Sequence, residues 1–199
     1  AIAINPSNPS IIYAGTEAGL ARSTNGGDSW SMVINAPYIS SIAVDFSNPS
    51  VVYAGTAYHE YAIYKTTDGG NTWLTTSVGL DGFEVNDIVI DPHDNNRIYV
   101  ALYEHENYRS EDAGRTWENL NDGCPQDPDV GDNTVFAFDP FLEGTLYEGR
   151  YSGIYKSTNS GQDWQLLHQG MPYEGRISTD PSNASIIYMT CGEFAVLKS

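Results

Sequence analysis

The sequence predicts an all-β fold of the β-propeller type, built from four-stranded antiparallel blades. An octapeptide recurs four times along the 199 residues, and a second motif recurs five times at the same spacing. Alternating apolar runs lie between the motifs, and no helical periodicity competes with them. Four short strands in a repeat of about 45 residues describe one propeller blade.

The octapeptide contains all four tryptophans of the chain, and each copy ends in one. Successive tryptophans are 43, 44 and 47 residues apart, so insertions fall between the motifs rather than inside them. The four copies span Ser23–Trp30, Thr66–Trp73, Ser110–Trp117 and Ser157–Trp164.

The second motif joins two apolar runs through a short segment rich in Pro, Asn, Asp and Ser, which predicts a tight turn between two strands. Its copies begin at Asn5, Asp45, Asp91, Asp139 and Asp180, and each continues into a run that contains a tyrosine. A third strand then enters the octapeptide and a fourth leaves its tryptophan. Each repeat therefore reads as one blade of four strands.

The repeat predicts blades at about residues 1–36, 37–81, 82–121 and 133–170, and an incomplete blade at 175–199. The propeller domain thus covers 1–199, with four complete blades plus most of a fifth. Because the repeat is out of phase at both ends, we expect either a five-bladed ring with a deficient last blade or part of a larger propeller.

The octapeptide resembles the Asp-box, also called the BNR repeat, whose pattern is SxDxGxTW, and the resemblance covers nearly the whole chain. Proteins of this β-propeller family include sialidases, xyloglucan-cleaving endoglucanases, sortilin-type receptors and a photosystem II assembly factor. The resemblance implies the fold, whereas function differs among the members.

We expect the octapeptide to be structural. Its Asp or Asn accepts hydrogen bonds from turn amides, its second Gly permits positive φ, and its Trp packs between blades. The basic residue before each box (Arg22, Lys65, Arg109, Lys156 and Lys198) recurs blade by blade and is also expected to be structural. The predicted structural positions are Ser23, Asn25, Gly27, Trp30, Thr66, Asp68, Gly70, Trp73, Ser110, Asp112, Gly114, Trp117, Ser157, Asn159, Gly161 and Trp164.

A binding surface is expected on the loop face opposite the Asp-boxes. The loops there in blades two and three are longer than in the other blades and are rich in aromatic and acidic residues, which suit sugar rings and their hydroxyls. The alternative is that these tyrosines only cover the rim. The candidate binding residues are Tyr58, His59, Glu60, Tyr61, Tyr103, Glu104, His105, Glu106, Tyr151, Tyr173 and Glu174.

Cofactor signals are weak. The acidic insertion at 121–133 carries Asp127, Asp129 and Asp132, whose oxygens suit Ca²⁺ but lack EF-hand spacing, so a solvated loop is the favoured interpretation. The His and Glu of the long loops could hold a transition metal, or a Glu pair could hydrolyse a glycoside, and neither pattern is specific. Cys124 and Cys191 allow one disulfide without requiring it.

The net charge limits which classes of partner the protein can bind. With 26 acidic and 9 basic residues the net charge is −17, which disfavours nucleic acid, and no apolar run is long enough to insert into a membrane. Sialidases of the family bind the substrate carboxylate with three arginines. This sequence does not easily provide such a triad, because only Arg150 and Arg176 lie near the predicted face once the basic residues before the boxes are set aside. Members similar to xyloglucanases hold catalytic Asp residues in a cleft between two propellers.

We therefore expect a non-catalytic binding or scaffold propeller that recognises glycan or protein. Its expected location is extracellular, at the cell surface or periplasmic, with the acceptor pattern at Asn183 as one indication. The alternative is a glycoside hydrolase of the xyloglucanase type or another BNR-repeat glycosidase, or a fragment of one.

Overall fold

The structure is a computed structural model that describes residues 1–57, 63–76, 80, 84–103, 107–120, 134–150, 152–169, 176–191 and 195–198. Across these ranges the regular structure is all β-strand. The described residues include no helix long and apolar enough to cross a membrane. The strands form five antiparallel sheets, and the predicted all-β propeller fold is confirmed.

Four sheets have four strands each, and the fifth has three, with neighbours in sequence paired in every sheet. The first two sheets contain β1 (Ile2–Ile4), β2 (Ile12–Thr16), β3 (Gly19–Ser23) and β4 (Ser31–Ile34), then β5 (Ile39–Val44), β6 (Val52–Thr56), β7 (Ile63–Thr66) and β8 (Leu74–Thr75). The third contains β9 (Val85–Ile90), β10 (Ile98–Leu102), β11 (Asn107–Ser110) and β12 (Glu118–Asn119). The last two contain β13 (Val135–Phe138), β14 (Leu146–Arg150), β15 (Gly153–Ser157) and β16 (Gln165–Gln169), then β17 (Ile177–Asp180), β18 (Asn183–Cys191) and β19 (Ala195–Lys198).

The turn between the first two strands of a blade is held by its leading Asn or Asp. The Asn5 side-chain oxygen accepts the Ser7 and Asn8 amides at 2.9 and 3.0 Å, and Asp139 accepts the amides two and three residues on in the same way. A side-chain acceptor therefore replaces the missing backbone partners, which is why this motif turns the chain at the same place in each repeat.

The chain divides into two compact units, residues 1–100 with 110–117, and residues 101–109 with 118–199. In the first unit a buried cluster includes Tyr13, Leu20, Val52 and Ala54, all fully buried. The main buried cluster described in the second unit consists of Val135, Tyr147, Ile177 and Ile187. Both units thus have a repeat tyrosine in the core, which explains its recurrence in the four-stranded sheets, whereas Tyr188 of the three-stranded sheet is 37% exposed.

Candidate functional site

Within each Asp-box turn the polar side chains and backbone amides form hydrogen bonds with one another. In the second box the Thr66 hydroxyl donates to Asp68 at 2.7 Å and accepts the Gly70 amide at 3.0 Å. Asp68 also accepts the Thr72 amide and hydroxyl at 2.9 and 2.6 Å. The other three boxes repeat the bonds of the first hydroxyl and the amide bond to the Asp or Asn oxygen. The bond from the Thr72 hydroxyl has a counterpart in the third box, where Thr116 donates to Asp112.

These bonds also set the charge state of the two acidic boxes. Hydrogen bonds from the Thr72 hydroxyl and amide, with the Thr66 hydroxyl, hold the pKa of Asp68 well below its usual range. At Asp112 the Thr116 amide is the largest cause that lowers the pKa, to about 2. The carboxylates are ionised acceptors that close the turn, as expected for a structural role.

Basic residues before the boxes contact the following blade's box. Within the first unit Arg22 donates to the Asn71 side chain at 3.1 Å, and Lys65 donates to the Ala113 carbonyl at 2.8 Å. Within the second unit Arg109 donates to the Ser160 carbonyl at 2.5 Å. Lys65 and Arg109 therefore make equivalent contacts with the carbonyl of the fourth box residue, whereas Arg22 contacts a side chain of the box turn.

The box tryptophans do not all behave as expected. Trp73 packs edge-on against Tyr13, with ring centroids 6.4 Å apart, and Trp117 donates to the Thr76 carbonyl. Trp30, in contrast, is 44% exposed and its indole N–H donates to Gly27 of its own box. Trp73 and Trp117 thus contact the preceding blade, whereas the hydrogen bond of Trp30 lies within its own box, and its packing between blades stays a prediction.

Backbone hydrogen bonds define the two ends of the blades. The box turn bonds to the first hairpin turn of its blade, as in Gly26 to Ser10 and Ser160 to Gly144, so these turns share one end. At the other end Tyr38, in the connection between the first two sheets, donates to Glu17 and accepts from Ala57. This second end, formed by the inner-blade hairpins and the connections between sheets, is called the loop end below.

Most predicted binding residues lie outside the described residues. Tyr103, which follows β10 at the loop end, is described and is 37% exposed. Among the described residues no group of three or more His, Cys, Asp or Glu could hold a metal ion. The predicted residues outside the described ranges are Tyr58, His59, Glu60, Tyr61, Glu104, His105, Glu106, Tyr151, Tyr173 and Glu174, and the Ca²⁺ candidates Asp127, Asp129 and Asp132.

The structure adds a buried polar cluster of Glu148, Arg150 and Asn107 in the second unit. Glu148 is fully buried on β14, and its Oε1 accepts Arg150 Nε at 2.6 Å and the Asn107 amide. Its Oε2 is buried and has no hydrogen-bond partner in the described part of the chain. Burial raises the pKa of the Glu148 carboxyl, and the charge of Arg150 acts against that shift.

Sequence reasoning missed this cluster, although the repeat carries the signal. The residue after the repeat tyrosine is small or apolar in the other blades and acidic only here. Arg150 also lies with its guanidinium 5.7 Å from the Tyr155 ring centroid, and its side chain is 10% exposed. A charged pair thus stands at the end of β14 that leads into the loop end.

The chain is similar in sequence and in fold to several known proteins. The chain is 29% identical to a xyloglucanase of a Paenibacillus species over 153 residues, which cover 61% of this chain and 15% of the relative. Among solved structures, a GH74 enzyme of Niastella koreensis superposes with a TM-score of 0.78 at 22% identity, over 99% of this chain and 35% of that one. YCF48 bound to D1 peptide gives a TM-score of 0.65 at 16% identity, over 95% of this chain and 61% of that one.

The chain thus spans about a seventh of the length of the xyloglucanase that it matches, and about a third of the GH74 structure. A family model for Sortilin-Vps10, described as sortilin, neurotensin receptor 3, matches residues 61–190. Since that match covers more than half of the sequence, and the Asp-box repeat and the fold agree with it, the chain belongs to the Sortilin-Vps10 family of Asp-box β-propellers.

Proposed function

We propose that this chain is a polysaccharide-binding propeller of a glycoside hydrolase that acts on a xyloglucan-type glucan outside the cell, with the loop end as its binding surface. The similarity to a xyloglucanase over 61% of the chain supports this substrate class. The similarity favours a glycosidase over the non-catalytic role expected from the sequence alone.

The observation that carries the proposal is the contrast between the two ends of the blades. At the box end the turn hydroxyls, carboxylates and amides bond to one another. Each unit has an exposed tyrosine at its own loop end, Tyr38 in the first and Tyr103 in the second, each 37% exposed. The exposed aromatic residues of the box-end turns Phe46 and Phe141 are phenylalanines, which carry no polar group for a sugar hydroxyl. Tyrosine rings pack against the apolar faces of sugar rings, and the phenol bonds to hydroxyls.

Binding is tested with soluble xyloglucan and calorimetry. We expect Tyr103→Ala to weaken binding about fivefold, because the loss of one aromatic contact costs on the order of 1 kcal/mol. Phe141→Ala is the matched control, since Phe141 is a 53% exposed aromatic residue on a hairpin turn at the box end. Equal affinity for the wild type and Tyr103→Ala, or a loss on Phe141→Ala, would contradict the placement of the site.

Catalysis is tested separately by the release of reducing sugars from xyloglucan. Release that is abolished by Glu60→Gln, Glu106→Gln or Glu174→Gln supports hydrolysis by this chain and assigns the carboxylate. Binding without release restricts the function to recognition. In that case the non-catalytic propeller predicted from the sequence is the better description.

A second candidate is the recognition of an extended protein segment. It is favoured by the likeness to YCF48, whose structure was solved with a bound D1 peptide. A peptide array read in parallel with a glycan array separates the two, because a neutral glycan surface and a peptide groove select different probes.

A further inference from the structure

One face of the first sheet is apolar and exposed. Ile2, Ala14, Ala21 and Met32 lie opposite one another on its four strands, so their side chains share a face. Ile4 lies on the same face, two residues along β1 from Ile2. Ile2, Ile4 and Met32 are 70%, 54% and 44% exposed. This surface, called the leading face below, is an exposed apolar patch of the kind that marks an interaction site.

The second sheet shows what such a face contacts in this protein. There Ile42 and Ala54 occupy the corresponding row and pack with the cluster around Tyr13 of the first sheet. Trp73 also packs edge-on against Tyr13, whereas Trp30, at the same position of the first box, is 44% exposed. The leading face therefore carries the residues of an interface between blades, and the described part of the chain leaves it open.

The last sheet is open on the other face of its repeat. The middle strands β6 and β14 of two four-stranded sheets are buried on both faces. In β18, by contrast, Ile187 and Met189 are 8% and 2% exposed, and Tyr188 between them is 37% exposed. Tyr188 is the repeat tyrosine, and its counterpart Tyr13 is fully buried. The exposed surface, called the trailing face below, consists of Ser178, Tyr188 and Thr190.

The two open faces correspond to the two halves of one repeated interface. Within the first unit, the tyrosine face of the first sheet packs against the Ile42 face of the second. The Tyr13 hydroxyl then donates to the Gly69 carbonyl of the second box at 2.9 Å. In the first box the position of Gly69 is taken by Gly26, which is exposed. A single chain thus presents both an unpaired tyrosine face and the kind of face that a repeat tyrosine packs against.

We propose that the leading face of one copy of this chain binds the trailing face of a second copy, head to tail. The contact repeats the packing of the second sheet on the first. Tyr188 of one copy packs against Ile2, Ile4 and Trp30 of the other and donates to the Gly26 carbonyl there. Each copy contributes a different face, so the interface is heterologous and copies add to form a ring or a linear array. This inference does not depend on sugar binding and goes beyond the proposed function.

Self-association is measured by sedimentation velocity. The buffer contains about 0.15 M NaCl, which screens the charge of −17 on each copy over about 8 Å. We expect the weight-average mass of the wild type to rise above that of one chain between about 1 and 100 μM, the range of modest protein–protein affinities. A wild type that stays monomeric means that something other than a second copy covers the leading face, and overturns the proposal.

Two variants disable one face each. Tyr188→Glu alters the trailing face, and the double variant Ile2→Lys, Ile4→Lys alters the leading face. Each is expected to weaken association at least about tenfold, because it places an unpaired charge in a desolvated contact. Phe46→Lys is the matched control, since Phe46 is 77% exposed on a hairpin turn outside both faces. Association that survives both face variants, or that is lost on Phe46→Lys, contradicts the proposed surfaces.

An equimolar mixture of the two disabled variants tests the head-to-tail arrangement. Each variant keeps one intact face, so we expect the mixture to form a dimer and nothing larger. Only folded variants can restore association, and thermal melts of each variant alone check folding separately. The milder variants Ile4→Thr and Tyr188→Thr serve if a charged one does not fold. A mixture of folded variants that stays monomeric overturns the proposal, because pairing of like faces is not restored by mixing.

Discussion

At the residue scale, two adjacent glycines of the second box have different reasons to be glycine. Both have positive φ, +69° at Gly69 and +87° at Gly70. A Cβ on Gly69 would meet nothing within 4 Å, whereas one on Gly70 would lie 3.1 Å from the Tyr13 ring. The third and fourth boxes carry Ala113 and Ser160 at the position of Gly69, with φ of 59° and 58°.

We therefore expect Gly69→Ala to lower the free energy of unfolding by about 1 kcal/mol, the ordinary cost of a left-handed residue with a Cβ. Gly70→Ala should cost about 2–3 kcal/mol, because the Tyr13 ring must also shift. Chemical denaturation of both variants measures the difference. Equal losses would mean that backbone strain alone, and not the contact with Tyr13, keeps Gly70.

The carboxyl of Asp112 makes one box sensitive to acid. Its pKa of about 2 in the folded chain lies below the ordinary value near 3.9 for an unfolded Asp, chiefly because it accepts the Thr116 amide. A depressed folded pKa adds stability that is complete above about pH 4 and is lost as the pH falls towards 2. Because the side chain is partly exposed, solvent screening makes the effect small.

Asp112→Asn is expected to fold, since Asn25 and Asn159 occupy the same position and accept the same amide bonds. Its unfolding temperature should fall less than that of the wild type between about pH 4 and pH 2, because its side chain does not titrate. Thermal melts at several pH values in this window measure the difference. Parallel curves for the two proteins would show that Asp112 does not contribute to the acid sensitivity.

At the scale of elements, the repeat tyrosine fastens one sheet to the box turn of the next. Within the first unit the Tyr13 hydroxyl donates to the Gly69 carbonyl at 2.9 Å, and the Tyr53 hydroxyl donates to the Ala113 carbonyl at 3.0 Å. The two links differ because the Ala113 carbonyl also accepts Lys65 at 2.8 Å.

We expect Tyr13→Phe to lower the free energy of unfolding by about 1–2 kcal/mol and Tyr53→Phe by about 0.5–1 kcal/mol. In the second variant Lys65 still satisfies the carbonyl, so less is lost. Denaturant titration measures both, with the Tyr53→Phe, Lys65→Met double variant as the control that removes the second donor. If Tyr53→Phe costs as much as Tyr13→Phe, the lysine bond does not compensate.

Elements also show why the fold was predictable and part of the site was not. The box and the tyrosine recur at a fixed spacing, and each residue in them makes a local or repeated contact, so counting them in the sequence predicts the sheets. Asn107 and Glu148 are 41 residues apart and meet only across two sheets. When the strands are aligned position by position, the sequence shows that Asn107, Glu148 and Arg150 differ from the other blades, but not that they contact one another.

Trp30 shows a property that the repeat alone does not determine. Its motif is the same as in the other boxes, but burial depends on what packs against the turn, and that partner is not encoded in the octapeptide. Tyr38, with φ of 56° and bonds to two hairpins of the loop end, is likewise set by tertiary contacts rather than by its local sequence.

At the scale of the whole molecule, the net charge of −17 affects stability and binding differently. An excess of like charges destabilises the compact state by self-repulsion, and salt screens it over a length of about 10 Å at 0.1 M and less at higher concentration. The unfolding temperature is therefore expected to rise as NaCl is increased from about 0.05 to 0.5 M.

The affinity for a neutral xyloglucan oligosaccharide should change less than about twofold over the same range of salt, because the oligosaccharide carries no charge that salt could screen. Calorimetry at both salt concentrations, with the melts recorded on the same samples, measures the two responses together. A cationic protein partner would instead lose affinity steeply as the acidic surface is screened. A steep loss of affinity for the oligosaccharide would mean that charge, and not the tyrosines of the loop end, dominates recognition.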